Sequence, residues 1–370
     1  MRIALLTYST KPRGGVVHTL ALAEALAKRG EDVTVWTLSR GGDAAFFRRI
    51  DPAVAIQVVP FVPRDDESVG GRIVRSIAAM QAAFPRGVYD IVHAQDCISA
   101  NAVERCIRTI HHLDTFTTPE LALCHERAIV NPIARICVSA AVAAEVRDGW
   151  GFEPMVIPNG VGADRFTAAS SDTADARAAR ASWTSDLGPY VLAVGGIEPR
   201  KGTIDLLEAY AIVRESHPEH ALVLAGGETL FDYSDYRSAF DARAVELGVD
   251  YRLLGTVDDD ALPSLVAASH VLSFVSTKEG FGLAAMEALA AGVPVVARDL
   301  PVLREVFADT VSYATDVVGI AAAIGRALDG INFERGGLDS AAGRALAQSY
   351  SWDTAASAHL ELYRSVLARS

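Results

Sequence analysis

Two glutamates, Glu279 and Glu287, stand eight residues apart at the ends of a glycine-rich stretch, EGFGLAAME. The stretch follows a predicted buried strand and opens a predicted helix. The first amides of a helix have no intrahelical acceptor and lie at the positive end of its dipole, so they bind phosphate groups well. We therefore expect the amides of Phe281, Gly282 and Leu283 to hold an anionic ligand. The ordinary alternative is a strand-to-helix turn with a solvated glutamate at each end.

The positions of the two carboxylates predict different contacts with such a ligand. Glu279 precedes the turn and would lie near the reacting end of the ligand, whereas Glu287, two turns into the helix, could reach the diol of a ribose. A glycine pair, Gly14 and Gly15, follows the first predicted strand in a predicted loop, where a backbone without side chains lets a ligand approach closely. Such a pair is also common in ordinary strand-to-helix turns.

The elements that must position these residues alternate along the chain. Short β-rich runs alternate with longer Ala/Leu-rich runs, which predicts an α/β fold of open parallel sheets covered by helices on both faces. The predicted strands are 3–8, 33–38, 55–59, 90–93, 108–111, 135–138, 155–157, 190–194, 221–224, 251–254, 271–274 and 293–297. The predicted helices are 16–28, 204–216, 236–247, 282–291 and 317–327.

The length of 370 residues predicts two domains, because one domain takes up about 150 residues. Residues 167–185 are small, polar and charged, so we place an interdomain linker there. The predicted boundaries are 1–168 for an N-terminal domain, 186–350 for a C-terminal domain and 351–370 for a closing helix. Two doubly wound domains facing each other would form a ligand cleft at the carboxyl ends of their strands.

The composition excludes several classes of protein. With 46 acidic and 34 basic residues the formal net charge is −12, which argues against a nucleic-acid partner. The N-terminal apolar run is too short for a signal peptide, and no stretch suits a membrane span, so we expect a cytoplasmic protein. Membrane association is not favoured, although residues 45–50 and 72–80 join cations to apolar side chains. Core-facing helices are the favoured explanation for both stretches.

A dense group of histidines and cysteines raises the alternative of a zinc site. Their spacings match no usual zinc pattern, and the four cysteines are typical of small, reduced core residues. We therefore favour no metal site. The group comprises His93, Cys97, Cys106, His111, His112, Cys124 and His125.

The glutamate stretch resembles the Glu-x7-Glu motif of the retaining glycosyltransferases of family 4, and other segments resemble the same family in order and spacing. The resemblance covers nearly the whole chain and implies the GT-B fold, in which two Rossmann-like domains are followed by a helix that crosses back to the first. The other segments are ICVSAAVAAEV (136–146), MVIPNGVGADRF (155–166), VLAVGGIEPRKGTIDLLEAY (191–210), LVLAGG (222–227), YRLLGTVDDDALPSLVAAS (251–269) and YSWDTAASAHLELYRSVL (350–367).

The resemblance also implies roles for residues of the C-terminal domain. Lys201 would bind the donor diphosphate as an ammonium group. Where the family usually has an arginine, five residues before that lysine, this chain has Gly196, and Arg200 could substitute for it. Val257 lies in the segment that resembles the nucleotide-base region.

In the N-terminal domain, the family uses the loop that corresponds to Gly14 and Gly15 near the donor phosphate and the acceptor. The segment Thr109-Ile110-His111 resembles the Thr-x-His segment whose histidine contacts the transferred sugar. We prefer His111 to His112 by that match. A satisfied core histidine is the alternative.

The resemblance implies a reaction as well. A sugar would move from a nucleotide-diphosphate sugar to a hydroxyl of a small-molecule or lipid-linked acceptor, with retention, without a divalent metal or cofactor. Lys201 and the first-turn amides would stabilise the departing phosphate, whose oxygen receives the acceptor proton. The alternatives are a nucleotide-sugar epimerase of the same fold and a non-catalytic binder. A Rossmann dehydrogenase is disfavoured, because KPRGG rather than GxGxxG follows the first strand.

Overall fold

The computed structural model describes residues 1–40, 45–62, 64, 67–114, 116, 118–227, 233–330 and 340–369. These residues form two compact units. The first unit comprises Met1–Gly160 together with Ser351–Ser370, and the second unit comprises Val161–Tyr350. Each unit contains one parallel sheet, as the alternation of strand and helix patterns predicts.

The first unit contains a seven-stranded sheet with the order β3-β2-β1-β4-β5-β6-β7. The order reverses between β1 and β4, and doubly wound sheets bind ligands at such a switch point. The strands are β1 (Arg2–Leu6), β2 (Asp32–Arg40), β3 (Val54–Phe61), β4 (Ile91–Ala94), β5 (Ile107–Ile110), β6 (Ala134–Cys137) and β7 (Met155–Val156). The helices before Gly160 are α1 (Gly14–Lys28), α2 (Val69–Ala83), α3 (Cys97–Ala102), α4 (Pro119–Val130) and α5 (Ala140–Trp150).

The second unit contains a six-stranded sheet with the order β10-β9-β8-β11-β12-β13 and a switch point between β8 and β11. The strands are β8 (Tyr190–Val194), β9 (Ala221–Ala225), β10 (Tyr251–Gly255), β11 (Val271–Phe274), β12 (Val295–Arg298) and β13 (Ser312–Ala314). The last of these was not predicted, because three residues are too few to show a strand pattern. The helices are α6 (Ala163–Ala169), α7 (Ala174–Leu187), α8 (Thr203–Ser216), α9 (Ser234–Leu247), α10 (Leu262–Ala268), α11 (Leu283–Ala291), α12 (Pro301–Phe307), α13 (Val317–Leu328) and α14 (Ser340–Ser349).

The chain returns to the first unit through α15 (Trp352–Leu367), which packs against α1. Leu360 and Tyr363 lie in one apolar core with Ile3 and Leu20. A Cβ on Gly160 would overlap the backbone of Trp352, so only glycine allows the two ends of this unit to approach so closely. The helix is therefore an integral part of the first unit's core.

The segment 167–185, predicted as a linker, is largely helical. It includes the end of α6 and most of α7, whose first turn is capped by the hydroxyl of Thr173, which accepts a hydrogen bond from the amide of Ala176 (3.4 Å). Within α7 only Leu187 is buried, so the polar composition reflects an exposed helix rather than an irregular connection. The division between the units lies earlier, after Gly160.

The two stretches that join cations to apolar residues differ from each other. Residues 72–80 lie within α2, as predicted, but the prediction of a helix over 45–50 is wrong. There, Phe47 packs against the first unit's core, and Arg48 donates a 2.7 Å hydrogen bond to Glu24. These tertiary contacts replace a helical hydrogen-bond pattern. Among the described residues, every helix is too short or too polar to cross a bilayer.

Three histidines are fully buried in the first unit: His18 on α1, His93 on β4 and His359 on α15. Burial lowers the pKa of His18 to about 3 and the pKa of His359 to about 4. It also holds the pKa of His93 well below its usual range. Nδ1 of His93 lies 2.7 Å from the hydroxyl of Tyr363, so the neutral imidazole of His93 links β4 to α15.

We expect acid to destabilise the first unit. The unfolded histidines titrate near pH 6.5, so below that pH the unfolded chain binds more protons than the folded one and the free energy of unfolding falls. The loss is at most about 1.4 kcal/mol per pH unit for each of these histidines. Urea unfolding at about pH 7.5 and about pH 5.5 measures it, and His359→Gln should make the dependence shallower by the share of one histidine. Equal stability at both pH values would contradict the prediction.

Candidate functional site

The predicted site residues of the second unit lie at the carboxyl edge of its sheet. In a parallel sheet all strands end at the same edge, so the loops after β8, β9, β10 and β11 are neighbours there. The loop after β8 carries Gly196 and Lys201, the loop after β10 carries Val257, and the loop after β11 carries Glu279. These loops flank the switch point, where doubly wound sheets bind ligands.

Lys201 and Glu279 form the centre of this site. Lys201 ends a short 3-10 helix, Pro199–Lys201, and its Nζ lies 2.7 Å from Oε1 of Glu279. Both side chains are largely shielded, with 19% and 11% of their surface exposed, so the pair is only weakly screened by water. Nζ also lies 5.3 Å from the ring centre of Phe274, at the end of β11.

Arg200 joins the same group of charges. Its Nη1 lies 3.2 Å from Oε1 of Glu279, and its Nη2 lies 3.0 Å from Oε1 of Glu198. Nη1 also donates to the carbonyl oxygen of Lys278 at 3.3 Å. The structure therefore places a guanidinium group beside Glu279, although Gly196 itself supplies no side chain.

The N-terminus of α11 supplies backbone donors at this edge. Gly282 caps the helix at a φ of +99°, which favours glycine, and no side chain caps the first turn. The carbonyl oxygen of Gly282 accepts hydrogen bonds from Ala285 and Met286, both at 3.1 Å. The amides of Leu283 and the next residue have no intrahelical acceptor, and they lie at the positive end of the helix dipole. Phe281 precedes the cap and therefore lies outside the first turn, contrary to the prediction, and its buried ring has its centre 5.2 Å from that of Tyr350.

Glu287 lies further along α11 and is half-buried. Burial is the main cause that raises the pKa of its carboxyl to about 8; Arg165 opposes this rise in pKa and nearby Asp259 adds to it. Arg165 itself pairs with Asp259 at 2.8 Å. Near neutral pH the carboxyl is therefore mostly protonated, and it can both donate and accept a hydrogen bond, as recognition of a diol requires.

Several residues that hold these loops in place were missed by the sequence reasoning. A Cβ on Gly226, after β9, would overlap the backbone of Gly195, so these two loops touch at the backbone. Arg298, the last residue of β12, donates to the carbonyl oxygen of Val275 at 2.9 Å and pairs with Asp205 on α8. The signals were present as a Gly-Gly pair that begins two residues after the predicted strand 221–224, and as an arginine directly after the predicted strand 293–297.

The predicted residues of the first unit lie at the carboxyl edge of its own sheet. His111 directly follows β5, and its Nε2 lies 3.3 Å from Oε1 of Gln95, which follows β4. A Cβ on Gly15 would lie 3.5 Å from the His111 ring. The prediction that Gly14 and Gly15 belong to a loop is wrong, because α1 already begins at Gly14 with Arg13 as its cap.

The electrostatics of this second group favour neutral histidines. Burial is the main cause that holds the pKa of His111 well below its usual range, and neighbouring basic groups act in the same direction. The rings of His18 and His111 meet edge to face with centres 4.8 Å apart, and Nδ1 of His18 lies 2.8 Å from the side-chain oxygen of Asn159. A neutral imidazole can hydrogen-bond a hydroxyl without repelling a cationic transition state. His112 points to a different partner, Asp114, at 3.0 Å.

The histidines and cysteines between residues 93 and 125 do not converge. In the part of the chain that the structure describes, no three of their ligand atoms come within 4.8 Å of one another. The four cysteines are free thiols. Cys106, Cys124 and Cys137 are buried, as is typical of small core residues.

Comparison with known proteins decides the family. The model described as Glycosyltransferase Family 4 matches residues 12–165, and the model described as Glycosyl transferases group 1 matches residues 176–331. The phosphatidyl-myo-inositol mannosyltransferase of Mycobacterium tuberculosis is 31% identical over 391 residues, which cover 99% of this chain and 97% of that protein. The chain belongs to the family 4 glycosyltransferases.

Membership of this family makes the protein a transferase of glycosyl groups with a nucleotide-diphosphate sugar as donor. The D-inositol 3-phosphate glycosyltransferase of Xylanimonas cellulosilytica is 28% identical over 416 residues, covering 100% of this chain and 97% of that protein. Among solved structures, sucrose-phosphate synthase from Thermosynechococcus elongatus has a TM-score of 0.77 at 23% identity and covers 100% of both chains. The predicted GT-B fold class of this family 4 glycosyltransferase is confirmed.

Proposed function

We propose that this glycosyltransferase moves a sugar with retention of its anomeric configuration, on the front face of the donor, without a divalent metal. The donor diphosphate binds at the carboxyl edge of the second unit. Lys201, Arg200 and the first amides of α11 neutralise it there. The observation that carries the proposal is the convergence of these cations with Glu279 beside an uncapped helix N-terminus.

The residues at this edge bind the donor diphosphate and stabilise the charge that develops on it. Lys201 and Arg200 already share one carboxylate oxygen, so the pair is held in place before a ligand arrives. When the glycosidic bond breaks, negative charge grows on the β-phosphate, and preorganised cations and amides stabilise that charge most strongly in the transition state. Arg200 thereby supplies the guanidinium group that the family usually has at position 196.

The proton follows the leaving group in this mechanism. The acceptor hydroxyl attacks the anomeric carbon from the side that the phosphate leaves, and its proton passes to the departing phosphate oxygen. Glu279 orients the sugar and the two cations, and the neutral imidazole of His111 accepts or donates a hydrogen bond to a sugar hydroxyl. No protein side chain forms a bond to the sugar, so no covalent intermediate is required.

The names of the relatives guide the choice of acceptor. Two of them act on inositol compounds, as phosphatidyl-myo-inositol mannosyltransferase and D-inositol 3-phosphate glycosyltransferase. We therefore propose a polyhydroxylated acceptor, free or lipid-linked, and place inositol phosphates first among those to be tested. The cytoplasmic location remains a prediction from the sequence.

The experiment that tests the proposal has two stages. Thermal shifts with UDP, GDP, ADP and dTDP, each with and without its sugar, identify the donor. The matching donor is then incubated with inositol, inositol phosphate and phosphatidylinositol vesicles, and proton NMR of the product reads its anomeric configuration. A product with inverted configuration, or conversion of the donor sugar with no acceptor present, would overturn the proposal; the second result would instead indicate an epimerase.

Removal of divalent metal is expected to leave transfer unchanged. The cations that neutralise the diphosphate are side chains of the protein, so a Mg²⁺ or Mn²⁺ ion is not needed for charge balance. Initial rates are measured after dialysis against EDTA and again after adding back each ion. If EDTA abolished transfer and either ion restored it, the metal-free mechanism would be wrong.

Replacement of Glu287 is expected to weaken binding of the nucleoside diphosphate. Glu287→Ala removes the hydrogen bonds to the ribose, and we expect about a 10-fold higher Kd by calorimetry. Because the pKa of this carboxyl is about 8, an amide resembles it near neutral pH, so Glu287→Gln should remain within about 3-fold of the wild type. Unchanged affinity in Glu287→Ala would refute the ribose role.

A further inference from the structure

A second cluster of chemically competent side chains lies at the opposite edge of the second unit's sheet. The loop His217-Pro218-Glu219-His220 joins the end of α8 to the start of β9, so it lies at the amino edge, whereas the donor-binding loops lie at the carboxyl edge. One ligand atom from each of His217, Glu219 and His220 lies within 4.8 Å of the others. None of these residues takes part in the proposed transfer.

The backbone of this loop is held in a tight turn. The amide of His217 closes the last turn of α8 on Val213 at 3.0 Å, and the amide of His220 donates to the carbonyl oxygen of His217 at 3.2 Å. The hydroxyl of Tyr210 donates to the carbonyl oxygen of His220 at 2.5 Å. Local hydrogen bonds therefore fix the backbone from which the three side chains project.

The burial of the loop points to a ligand. His220 is only 8% exposed, and its Nδ1 has no hydrogen-bond partner among the described residues. This nitrogen lies 2.9 Å from Oε1 of Glu219, close to the spacing of two neighbouring ligands on one ion. A bound ion would give this nitrogen a partner and would also contact the carboxylate of Glu219. The carboxylate of Glu219 is 57% exposed, so the site is open to solvent on one side.

The charge around the loop favours a cation. Oδ1 of Asp329, at the end of α13, lies 3.6 Å from Nε2 of His217, so a second carboxylate borders the cluster. The side chain of His217 is 12% exposed and is thus fixed between the two acidic groups. Two imidazoles beside two carboxylates form a set of nitrogen and oxygen donors with net negative charge.

We propose that His217, Glu219 and His220 bind one divalent transition-metal ion of the zinc class. Imidazole nitrogen and carboxylate oxygen suit Zn²⁺ and its neighbours, whereas Mg²⁺ and Ca²⁺ prefer oxygen ligands alone. With metal–ligand bonds of about 2.0–2.2 Å, neighbouring ligand atoms lie about 3 to 4 Å apart, so a small closing movement of the side chains completes the site.

The ion would have a structural role. It joins the end of α8 to the start of β9, and Asp329 extends the contact to the end of α13. A ligand that binds only the folded state raises its stability by mass action. The site lies at the other edge of the sheet from the donor-binding loops, so the ion supplies no chemistry for transfer.

Metal binding can be tested directly on the full chain, purified without a histidine tag and stripped with EDTA. Calorimetric titration with Zn²⁺ should show one ion per chain and raise the melting temperature. Titration with Co²⁺ should give the visible absorption of a low-symmetry nitrogen and oxygen site. Absence of Zn²⁺ binding up to about 1 mM, the weak end of functional metal sites, would overturn the proposal.

Variants identify the ligands. His217→Gln should weaken Zn²⁺ binding by about 100-fold or more, since removing even an outer partner of a metal ligand costs about 10–100-fold. His112→Gln is the matched control, because it removes a histidine that also faces a carboxylate, and it should bind Zn²⁺ like the wild type. Equal affinity in His217→Gln and the wild type would overturn the assignment. Should His220→Gln fail to fold, the partly exposed Glu219→Gln supplies the second ligand test. Failure of these tests leaves the proposed transfer untouched.

Discussion

Replacing Lys201 with alanine is expected to lower kcat/KM for glycosyl transfer by about 10²–10³, the usual effect of removing one preorganised group that stabilises developing charge. The Lys201 side chain is 19% exposed and its ammonium is held at 2.7 Å by Glu279, so the charge is fixed in a site of weak screening. Its charge acts most strongly when the phosphate leaves. We therefore expect the larger share of the loss in kcat and a smaller share in KM for the donor.

The lysine at position 278 provides the matched control for this variant. Lys278 lies in the adjoining loop, and in the contacts described above it contributes a backbone carbonyl to Arg200. Lys278→Ala should therefore retain transfer within about 3-fold, because a half-exposed charge contributes little. Steady-state kinetics with saturating acceptor separate the two variants. Near-normal turnover by Lys201→Ala would remove this lysine from the reaction.

Replacing Glu279 with glutamine is expected to reduce transfer by about 10²–10³ while leaving the fold intact. Oε1 of Glu279 is the shared partner of Lys201 and Arg200, so a neutral amide releases both cations from their positions. The same change frees the two cations for the diphosphate. We therefore expect the nucleoside diphosphate alone to bind as tightly as in the wild type or more tightly, even though transfer falls.

Slower transfer together with unchanged or tighter binding of the nucleoside diphosphate would show that Glu279 positions the reacting groups. Loss of a binding site would instead weaken both. Calorimetry with the nucleoside diphosphate and initial rates with the full donor are measured on the same preparation. Glu198→Gln is the control, because the carboxylate of Glu198 pairs with Arg200, whereas Lys201 bonds to its backbone carbonyl, which the substitution keeps. This variant should lose no more than about 10-fold in rate. Parallel weakening of binding and transfer in Glu279→Gln would contradict the positioning role.

Much of the fold could be predicted from the sequence because hydrophobic periodicity dominates it. Strands β8 and β11 were predicted with the bounds that the structure shows, since both are apolar runs bordered by loop residues. Helix α7 was missed because it lacks such a hydrophobic pattern. It packs only one buried residue, Leu187, so its pattern is that of a polar segment.

The site could be predicted only in part. The glutamate stretch and Lys201 could be found because local motifs carry them, and the resemblance supplied His111. The position of the Arg200 side chain beside Glu279 could not be predicted, because it depends on two loops that are far apart in sequence and meet only in the folded sheet. The same holds for Arg298, whose contact with the carbonyl oxygen of Val275 is visible only in three dimensions.

The interrupted course of the first unit has a consequence for synthesis on the ribosome. Translation is vectorial, so the 190 residues of Val161–Tyr350 emerge before α15, which completes the core around Ile3 and Leu20. The second unit can therefore reach its native state first, reversing the usual N-terminal-first order of domains. Until α15 leaves the exit tunnel, the nascent first unit exposes an apolar groove. We infer that this interval is when the chain depends most on chaperones.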